Sequence, residues 1–355
     1  MFFNLTFVIS FFVFSFAFAI LINYLLLRLS RTLGIRDLDD KMVRWAASQK
    51  PALGGISFYI IFLLSIIFYT QFINPGSVFR DFKFLGIISS ISLGFLMGLA
   101  DDAYNTKPFL KFVSQLLCGL ILVITGTSIH LFNNSLIDGA LTVFWIIGIM
   151  NSINMLDNMD SITTSVSLFI IVAFLIIGAK NAPFNIYFVI MIGVFAALIA
   201  FLKFNWHPSR MFMGDTGSQF LGAFLGAMGI MYLWNPPEGE ALSQGKQITL
   251  IALAFLLPIV DTTSVTINRL LKGKSPFVGG RDHTTHHLSY LGLTDRQVAM
   301  AFIGISSLSV IFIFYISYFV KEWSYLHTLI FILYCLIVFI VLYSITRYSK
   351  PKPKS

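Results

Sequence analysis

Eleven strongly apolar stretches joined by short polar connectors dominate this chain and leave it few ways to fold. They fall at about 5–27, 52–70, 84–100, 109–127, 139–156, 161–179, 184–202, 216–234, 247–267, 297–320 and 326–346. A bilayer core of about 30 Å takes roughly 20 helical residues, and in hydrocarbon each segment must satisfy its own backbone N–H and C=O groups. Each stretch is therefore read as a transmembrane helix. With 57% hydrophobic and 11% charged residues, the apolar content also exceeds what the core of a water-soluble domain needs. The reading is an all-α polytopic membrane protein with about eleven transmembrane helices. It forms one integral membrane domain over 1–355 that ends in a short basic tail, 350–355. The longest connectors, Arg28 to Pro51 and Asn268 to Arg296, are too short to hold an inserted soluble domain.

Charge sets the expected orientation. The first stretch has no Lys or Arg before it and is too long for a signal peptide, so it reads as a membrane helix entering from outside. With the N-terminus outside and an odd number of crossings, the C-terminus is cytoplasmic, and 19 of the 24 Lys and Arg residues fall on inner connectors. The net charge of +8 thus reports orientation first and anionic ligands second, and it does not point to nucleic acid. Cys118 and Cys335 lie inside apolar stretches far apart, and form neither a metal pair nor a disulfide framework.

Against this background, the placement of the acids stands out. Seven of sixteen, Asp101, Asp102, Asp157, Asp160, Asp215, Asp261 and Asp282, sit at ends of apolar stretches, all at cytoplasmic ends in this topology. Ionisable groups at membrane depth are costly, which makes the cytoplasmic face the expected active site. The pair Asp101-Asp102 precedes Lys107 and Lys111. Adjacent carboxylates there can act as a base or as ligands to a hard cation, although a solvated helix exit is the bland alternative. Asn151, Asn154 and Asp157 recur at spacings of three, which places them near one helical face, and Ser161 after Asp160 reads as a cap for the next helix. In Phe212-Met-Gly-Asp215-Thr-Gly-Ser218, Asp215 and Ser218 can cap a helix, and Gly214 and Gly217 allow backbone to approach a ligand. The run Arg281-Asp-His283-Thr-Thr-His286-His287 holds three of six histidines in a basic loop. A zinc site on His283 and His287 is conceivable, but donation to a substrate pyrophosphate suits the composition better. His130, His207 and His327 read as interfacial or structural. The small-residue faces Gly94-x-x-x-Gly98 and Ser218-x-x-x-Gly222-x-x-x-Gly226 read as packing within the monomer rather than as a dimer seam.

Taken in order, Pro51-Ala-Leu-Gly-Gly55, Asp101-Asp102 with Lys111, Asn151 to Asp160, Phe212 to Ser218 and Arg281 to His287 resemble the polyprenyl-phosphate N-acetylhexosamine-1-phosphate transferases. The block from Pro258 to His287 looks most like the branch that transfers GlcNAc-1-phosphate to undecaprenyl phosphate. Two departures from the family pattern lie beside the expected sugar and nucleotide contacts. The third motif reads Asp157-Asn158 and Asp160-Ser161, where members commonly have Asp-Gly or Asp-Asn followed by Asp-Gly. The last motif has Thr284-Thr285 between its histidines, where the usual pattern is Arg-x-His-Ile-His-His.

The resemblance implies transfer from a UDP-N-acetylhexosamine to undecaprenyl phosphate in a bacterial inner membrane, with release of UMP. It implies Asn154 and Asp215 as ligands of Mg²⁺, or of Mn²⁺ in its place, and Asp101 as base with Asp102 as its electrostatic partner. Asp157 and Asp160 complete the implied catalytic set, positioning the nucleotide or supporting the metal shell. Lys111, Asn151, Arg281, His283, His286 and His287 are the implied substrate contacts, and a homodimer stays open. The alternatives are a phospho-MurNAc-pentapeptide transferase and, in a different class, an ion-coupled secondary transporter. The transporter expects acids near mid-membrane and internal repeats, and neither is found in the sequence.

Overall fold

The structure is a computed structural model that describes residues 2–32, 50–74, 78–181, 185–235, 243–275 and 280–349. Residues 33–49 of the first inner connector, 276–279 of the histidine loop and the expected basic tail lie outside the described residues.

The chain is helical and has no strand among the described residues. In order it runs α1 (Phe2–Thr32), α2 (Gly54–Phe72), α3 (Phe82–Tyr104), α4 (Pro108–Ile124), α5 (Ser135–Leu156), α6 (Ile162–Asn181), α7 (Ile186–Asn205), α8 (Gly214–Gly229), α9 (Gln244–Ala254), α10 (Leu256–Leu271), α11 (Thr284–Tyr290), α12 (Asp295–Phe319) and α13 (Tyr325–Tyr348). A π turn, Ile230–Trp234, prolongs α8. Local chemistry fixes several starts. Asp81 accepts from the Lys83 N–H at α3, Asn134 from Leu136 and Ile137 at α5, and Asn185 from Phe188 at α7. Pro108 opens α4, where its missing N–H costs nothing.

Eight described helices are long and apolar enough to cross a membrane, or nine if the bent pair α9–α10 is one span. The protein is thus a multi-pass membrane protein. The difference from eleven lies in length, because α4 has 17 residues and α8 only 16 before its π turn. The expected ninth stretch is split, with α9 and α10 meeting at 79°. Pro258 accounts for the break, since its ring cannot sit against the carbonyl of Ala254 four residues earlier in a continuing helix.

The centre of the fold is α8, whose side chains from Thr216 to Gly229 are all buried, with α2, α3, α5 and α6 packed around it. Small residues permit this. Gly98 of α3 lies against the backbone of Asp215 and Thr216, where even a methyl group would collide, and Gly222 of α8 meets the Met150 backbone on α5. The small-residue faces therefore pack within the monomer. The close approach also brings the C-terminal end of α3 onto the N-terminal end of α8. A short parallel bridge between Ala52 and Phe212 secures that end, with Gly54 donating to Phe212 O at 3.1 Å and Gly55 to Met213 O at 3.0 Å. The Pro51–Gly55 motif is thus a clasp between the start of α2 and the segment that leads into α8.

Candidate functional site

The ends of α3, α4, α5 and α8 meet at one end of the bundle and bring four sequence-predicted residues together. Lys111, in the first turn of α4, places its ammonium 2.6 Å from Asp101 Oδ2 on α3 and 3.2 Å from Asp215 Oδ1 on α8. Asn154, near the end of α5, donates to the same Asp215 oxygen and to Ser218 Oγ at 2.8 Å. Asp101 is buried and also accepts from the N–H and hydroxyl of Thr106, in the loop that Asn105 opens with a left-handed φ of 50°. Asp215 keeps 32% of its side chain exposed, so the cluster has an open side. It therefore offers an anion one fixed cation and a metal the Asp215 carboxylate, toward which Asn154 points its amide NH₂, on rigid helix ends.

Asp102 faces the other way. Its Oδ1 accepts from the Asp215 N–H at 3.0 Å, and its Oδ2 from the Thr216 N–H at 2.8 Å and the Thr216 hydroxyl at 2.7 Å. The first N–H groups of a helix lack intrahelical partners and carry the positive end of its dipole. Sequence reasoning expects α8 to cap itself through Asp215 or Ser218. The N-cap is instead Met213, which makes no side-chain cap bond, and a carboxylate from α3 supplies the cap. Gly214, with φ 74°, lies against Asp102 Oδ2, so a side chain here would meet both backbone strain and the carboxylate.

Asp157 follows the last turn of α5. Burial, reinforced by the carboxylates of Asp215, Asp102 and Asp160, pushes its carboxyl up to about 8. At neutral pH it is therefore a proton-bearing donor among anions. Asp160 accepts from the Ser209 N–H (2.9 Å) and hydroxyl (2.7 Å) and approaches His207 Nδ1 at 3.1 Å. Lys50 lies 3.8 Å from Asp160 and donates to Ser209 Oγ at 2.9 Å. His207 also stands 3.3 Å from Asp295, so this histidine ties the third motif to the start of α12. The cap expected from Ser161 is not made. Its hydroxyl is buried without a hydrogen-bond partner, its φ is 64°, and its N–H donates to Asn205 Oδ1.

The histidine motif forms α11. His283 Nδ1 lies 2.8 Å from Asp261 Oδ2, while Asp261 Oδ1 accepts from the N–H and hydroxyl of Thr284. Asp261 therefore anchors the motif to α10. Burial raises the Asp282 carboxyl, but the Arg269 guanidinium, which grips it through two bonds of 2.7 and 2.8 Å, outweighs this and holds it below its ordinary value. Thr285 donates to Asn158, which ties α11 to the third motif. Burial, then the neighbouring His283, pushes His286 down to about 3, and burial also lowers His287, whose Nδ1 meets Ser349 Oγ at 2.7 Å. His283 and His287 thus have different partners rather than a shared one. Among the described residues no three His, Cys, Asp or Glu side chains form a ready metal cage. Arg281 is exposed at the rim, where its carbonyl accepts from the Tyr290 hydroxyl.

Asn151 is placed one turn deeper than expected for a substrate contact. Its amide donates to Gln115 Oε1 at 2.7 Å, below Lys111 and Asn154. Gln115 and Gln219 lie within apolar runs that hide them in the sequence, and the signal that marks them is their spacing of four from Lys111 and Asp215.

With this geometry in hand, comparison with known proteins gives concordant matches. Residues 84–233, from α3 to the π turn, match the profile of glycosyl transferase family 4. A probable undecaprenyl-phosphate N-acetylglucosaminyl 1-phosphate transferase of Bacillus subtilis is 26% identical over 318 residues, which cover 86% of this chain and 80% of that protein. A phospho-N-acetylmuramoyl-pentapeptide-transferase of Streptococcus agalactiae is 29% identical over 64% of this chain and 69% of its own length. One from Aliarcobacter butzleri is 27% identical over 75% of this chain and 85% of its own.

Proposed function

We propose that the chain, whose residues 84–233 match glycosyl transferase family 4, transfers N-acetylhexosamine-1-phosphate, with GlcNAc-1-phosphate preferred, from a UDP-sugar to undecaprenyl phosphate in a bacterial inner membrane. One observation carries the reading: Lys111 bridges Asp101 and Asp215 while Asn154 shares the same Asp215 oxygen, all at one end of the bundle. The eleven-crossing topology with the N-terminus outside and the site on the cytoplasmic face belongs to the same reading. It matches a lipid phosphate at the membrane surface meeting a cytoplasmic nucleotide sugar.

In the reaction, a terminal oxygen of the lipid phosphate attacks the β-phosphorus of the UDP-sugar. A new P–O bond forms, the bond from the β-phosphorus to the UMP oxygen breaks, and its electron pair leaves with UMP. Both reactants are anions, so fixed positive charge does much of the work. Lys111 supplies it as a point charge with donors to phosphate. A phosphate monoester carries most of its second charge at pH 7, its second pKa being about 6. Asp101 therefore acts mainly by orienting the lipid phosphate and accepting any residual proton. Asp102 holds α8 in place, and Asp157, neutral and hydrogen-bonding, offers a donor that does not add to the repulsion. Asp160 and α11 with its histidines line the nucleotide side, with Arg281 at the rim.

The donor set suits Mg²⁺, or Mn²⁺ in its place. A hard cation of this kind takes one or two carboxylates and leaves its other positions to water and substrate phosphates. Asp215 is partly exposed, and turning the Asn154 amide would present its oxygen beside the same carboxylate oxygen. Bound there, the ion would offset the charge of the pyrophosphate and of the departing UMP.

Purified protein incubated with UDP-GlcNAc, undecaprenyl phosphate and Mg²⁺ should release UMP. UMP appearing without the lipid phosphate would indicate a covalent phospho-enzyme route instead. The second reading, transfer of phospho-MurNAc-pentapeptide, is favoured by the 29% identical relative and is tested by the same assay with that donor.

A further inference from the structure

One helical turn below the ionic cluster lies a second polar layer, built on the same three helices. Gln115 follows Lys111 by four residues on α4, Gln219 follows Asp215 by four on α8, and Asn151 precedes Asn154 by three on α5. These spacings stack each amide beneath a member of the cluster. The amides form a directed chain. Asn151 Nδ2 donates to Gln115 Oε1 at 2.7 Å, and Gln115 Nε2 donates to Gln219 Oε1 at 3.2 Å. Asn151 is also fixed to its own helix by a 2.8 Å bond to Ile147 O. Gln115 and Gln219 are 1% and 0% exposed, and Gln219 Nε2 ends the chain as a buried donor with no hydrogen-bond partner.

Three large amides in a membrane-depth core are expensive. An apolar triad would pack α4 against α5 and α8 without leaving an orphan donor, so simple adhesion does not explain the choice. Directed amide bonds do something packing does not: they fix helix rotation and register. The parts that need such precision lie directly above. Lys111, Asn154 and Asp215 come from three separate helices, and their convergence within 3.2 Å depends on how those helices are phased.

We propose that Gln115, Asn151 and Gln219 are positioning residues whose amide chain phases α4, α5 and α8, so that Asn154 and Asp215 present their oxygens to one divalent cation beside Lys111. The proposal rests on the metal reading given above. It assigns the three amides no contact with substrate. Outer partners that orient metal donors typically change metal affinity by about 10- to 100-fold when removed.

The test is Mn²⁺ binding to the purified full-length protein in detergent, followed by electron paramagnetic resonance and therefore independent of turnover, alongside thermal unfolding. Gln115→Met cuts the chain at its middle and should raise the half-saturating Mn²⁺ concentration about ten-fold. Gln219→Met removes the terminal amide together with its orphan donor. It should keep the unfolding temperature near wild type while weakening Mn²⁺ in the same direction, so it decides the matter if Gln115→Met fails to fold. Gln115→Met combined with Asn151→Leu should weaken Mn²⁺ no further than Gln115→Met alone, because that substitution already removes both bonds of the chain. In turnover, half-saturating Mg²⁺ should rise while KM for the UDP-sugar stays within two-fold. Folded variants that bind Mn²⁺ as the wild type does would overturn the proposal and leave the metal reading standing. A wild type that binds no Mn²⁺ would overturn both. Mn²⁺ binding that responds to the variants in a protein that releases no UMP would reject only the proposed reaction.

Discussion

Replacing Asp102 separates holding α8 from taking part in the chemistry. The carboxylate accepts three hydrogen bonds from the first turn of α8, two of them from N–H groups that have no other helical acceptor. In Asp102→Asn the remaining oxygen can keep the Thr216 pair, but the amide NH₂ then faces the Asp215 N–H, donor against donor. One charge-assisted bond is lost, about 1.5–3 kcal/mol, along with a dipole contribution of about 0.3–1 kcal/mol. A cost of about 2–4 kcal/mol follows, which at roughly 2–4 °C per kcal/mol lowers Tm by several degrees. Asp102→Ala loses all three bonds and leaves two buried donors unpaired, so its cost should be on the order of 4 kcal/mol or more. Because Asp215 is the residue displaced, activity should track these losses: about 30-fold to 1000-fold down for the Asn variant and near background for Ala. Thermal unfolding in detergent and UMP release on the same preparations provide the two numbers. An Asn variant with wild-type Tm and no turnover would refute the reasoning and place Asp102 in the reaction itself.

Three further outcomes are expected. Lys111→Met removes the cation shared by Asp101 and Asp215; breaking such a buried pair costs about 3–5 kcal/mol, so kcat/KM should fall at least about 100-fold, and a smaller loss in steady-state assays would count against Lys111 as the phosphate-binding charge. Asp157, held near 8 in the folded protein, binds a proton that the unfolded chain has released from about pH 4 upward; stability should therefore decline as pH rises from about 5 to 8 and level off above that, and Tm measured across this range should be flatter for Asp157→Asn, whereas identical profiles would contradict the assignment. Chelation with EDTA should abolish UMP release and added Mg²⁺ or Mn²⁺ should restore it; undiminished turnover in EDTA would remove the metal from the account.

Much of this was legible in the sequence for one physical reason. Carboxylates at the ends of apolar runs are costly, so Asp101, Asp102, Asp157 and Asp215 were visible as a set before any fold was known. Their individual partners were not, because these are contacts between distant positions. Nothing near Asp102 indicates that it caps a helix 113 residues further on. His207 gave no sign either, since its tie to Asp160 and Asp295 depends on how α6, α7 and α12 converge. Gln115 and Gln219 were hidden because single amides inside apolar runs barely disturb hydropathy, and only their phase relative to Lys111 and Asp215 distinguishes them. Span counting was limited by α4 and α8, whose apolar runs are long enough but whose regular helices stop short.

The central claim is a reaction at the Lys111, Asp101, Asn154 and Asp215 cluster. Its most direct measurement is UMP release by purified wild-type protein given undecaprenyl phosphate, Mg²⁺ and a panel of UDP-N-acetylhexosamines, with Asp215→Ala run in parallel. Release should depend on both the lipid and Mg²⁺, be fastest with UDP-GlcNAc and be absent from a folded Asp215→Ala variant. No release with any UDP-N-acetylhexosamine, or a near wild-type rate from Asp215→Ala, would contradict it.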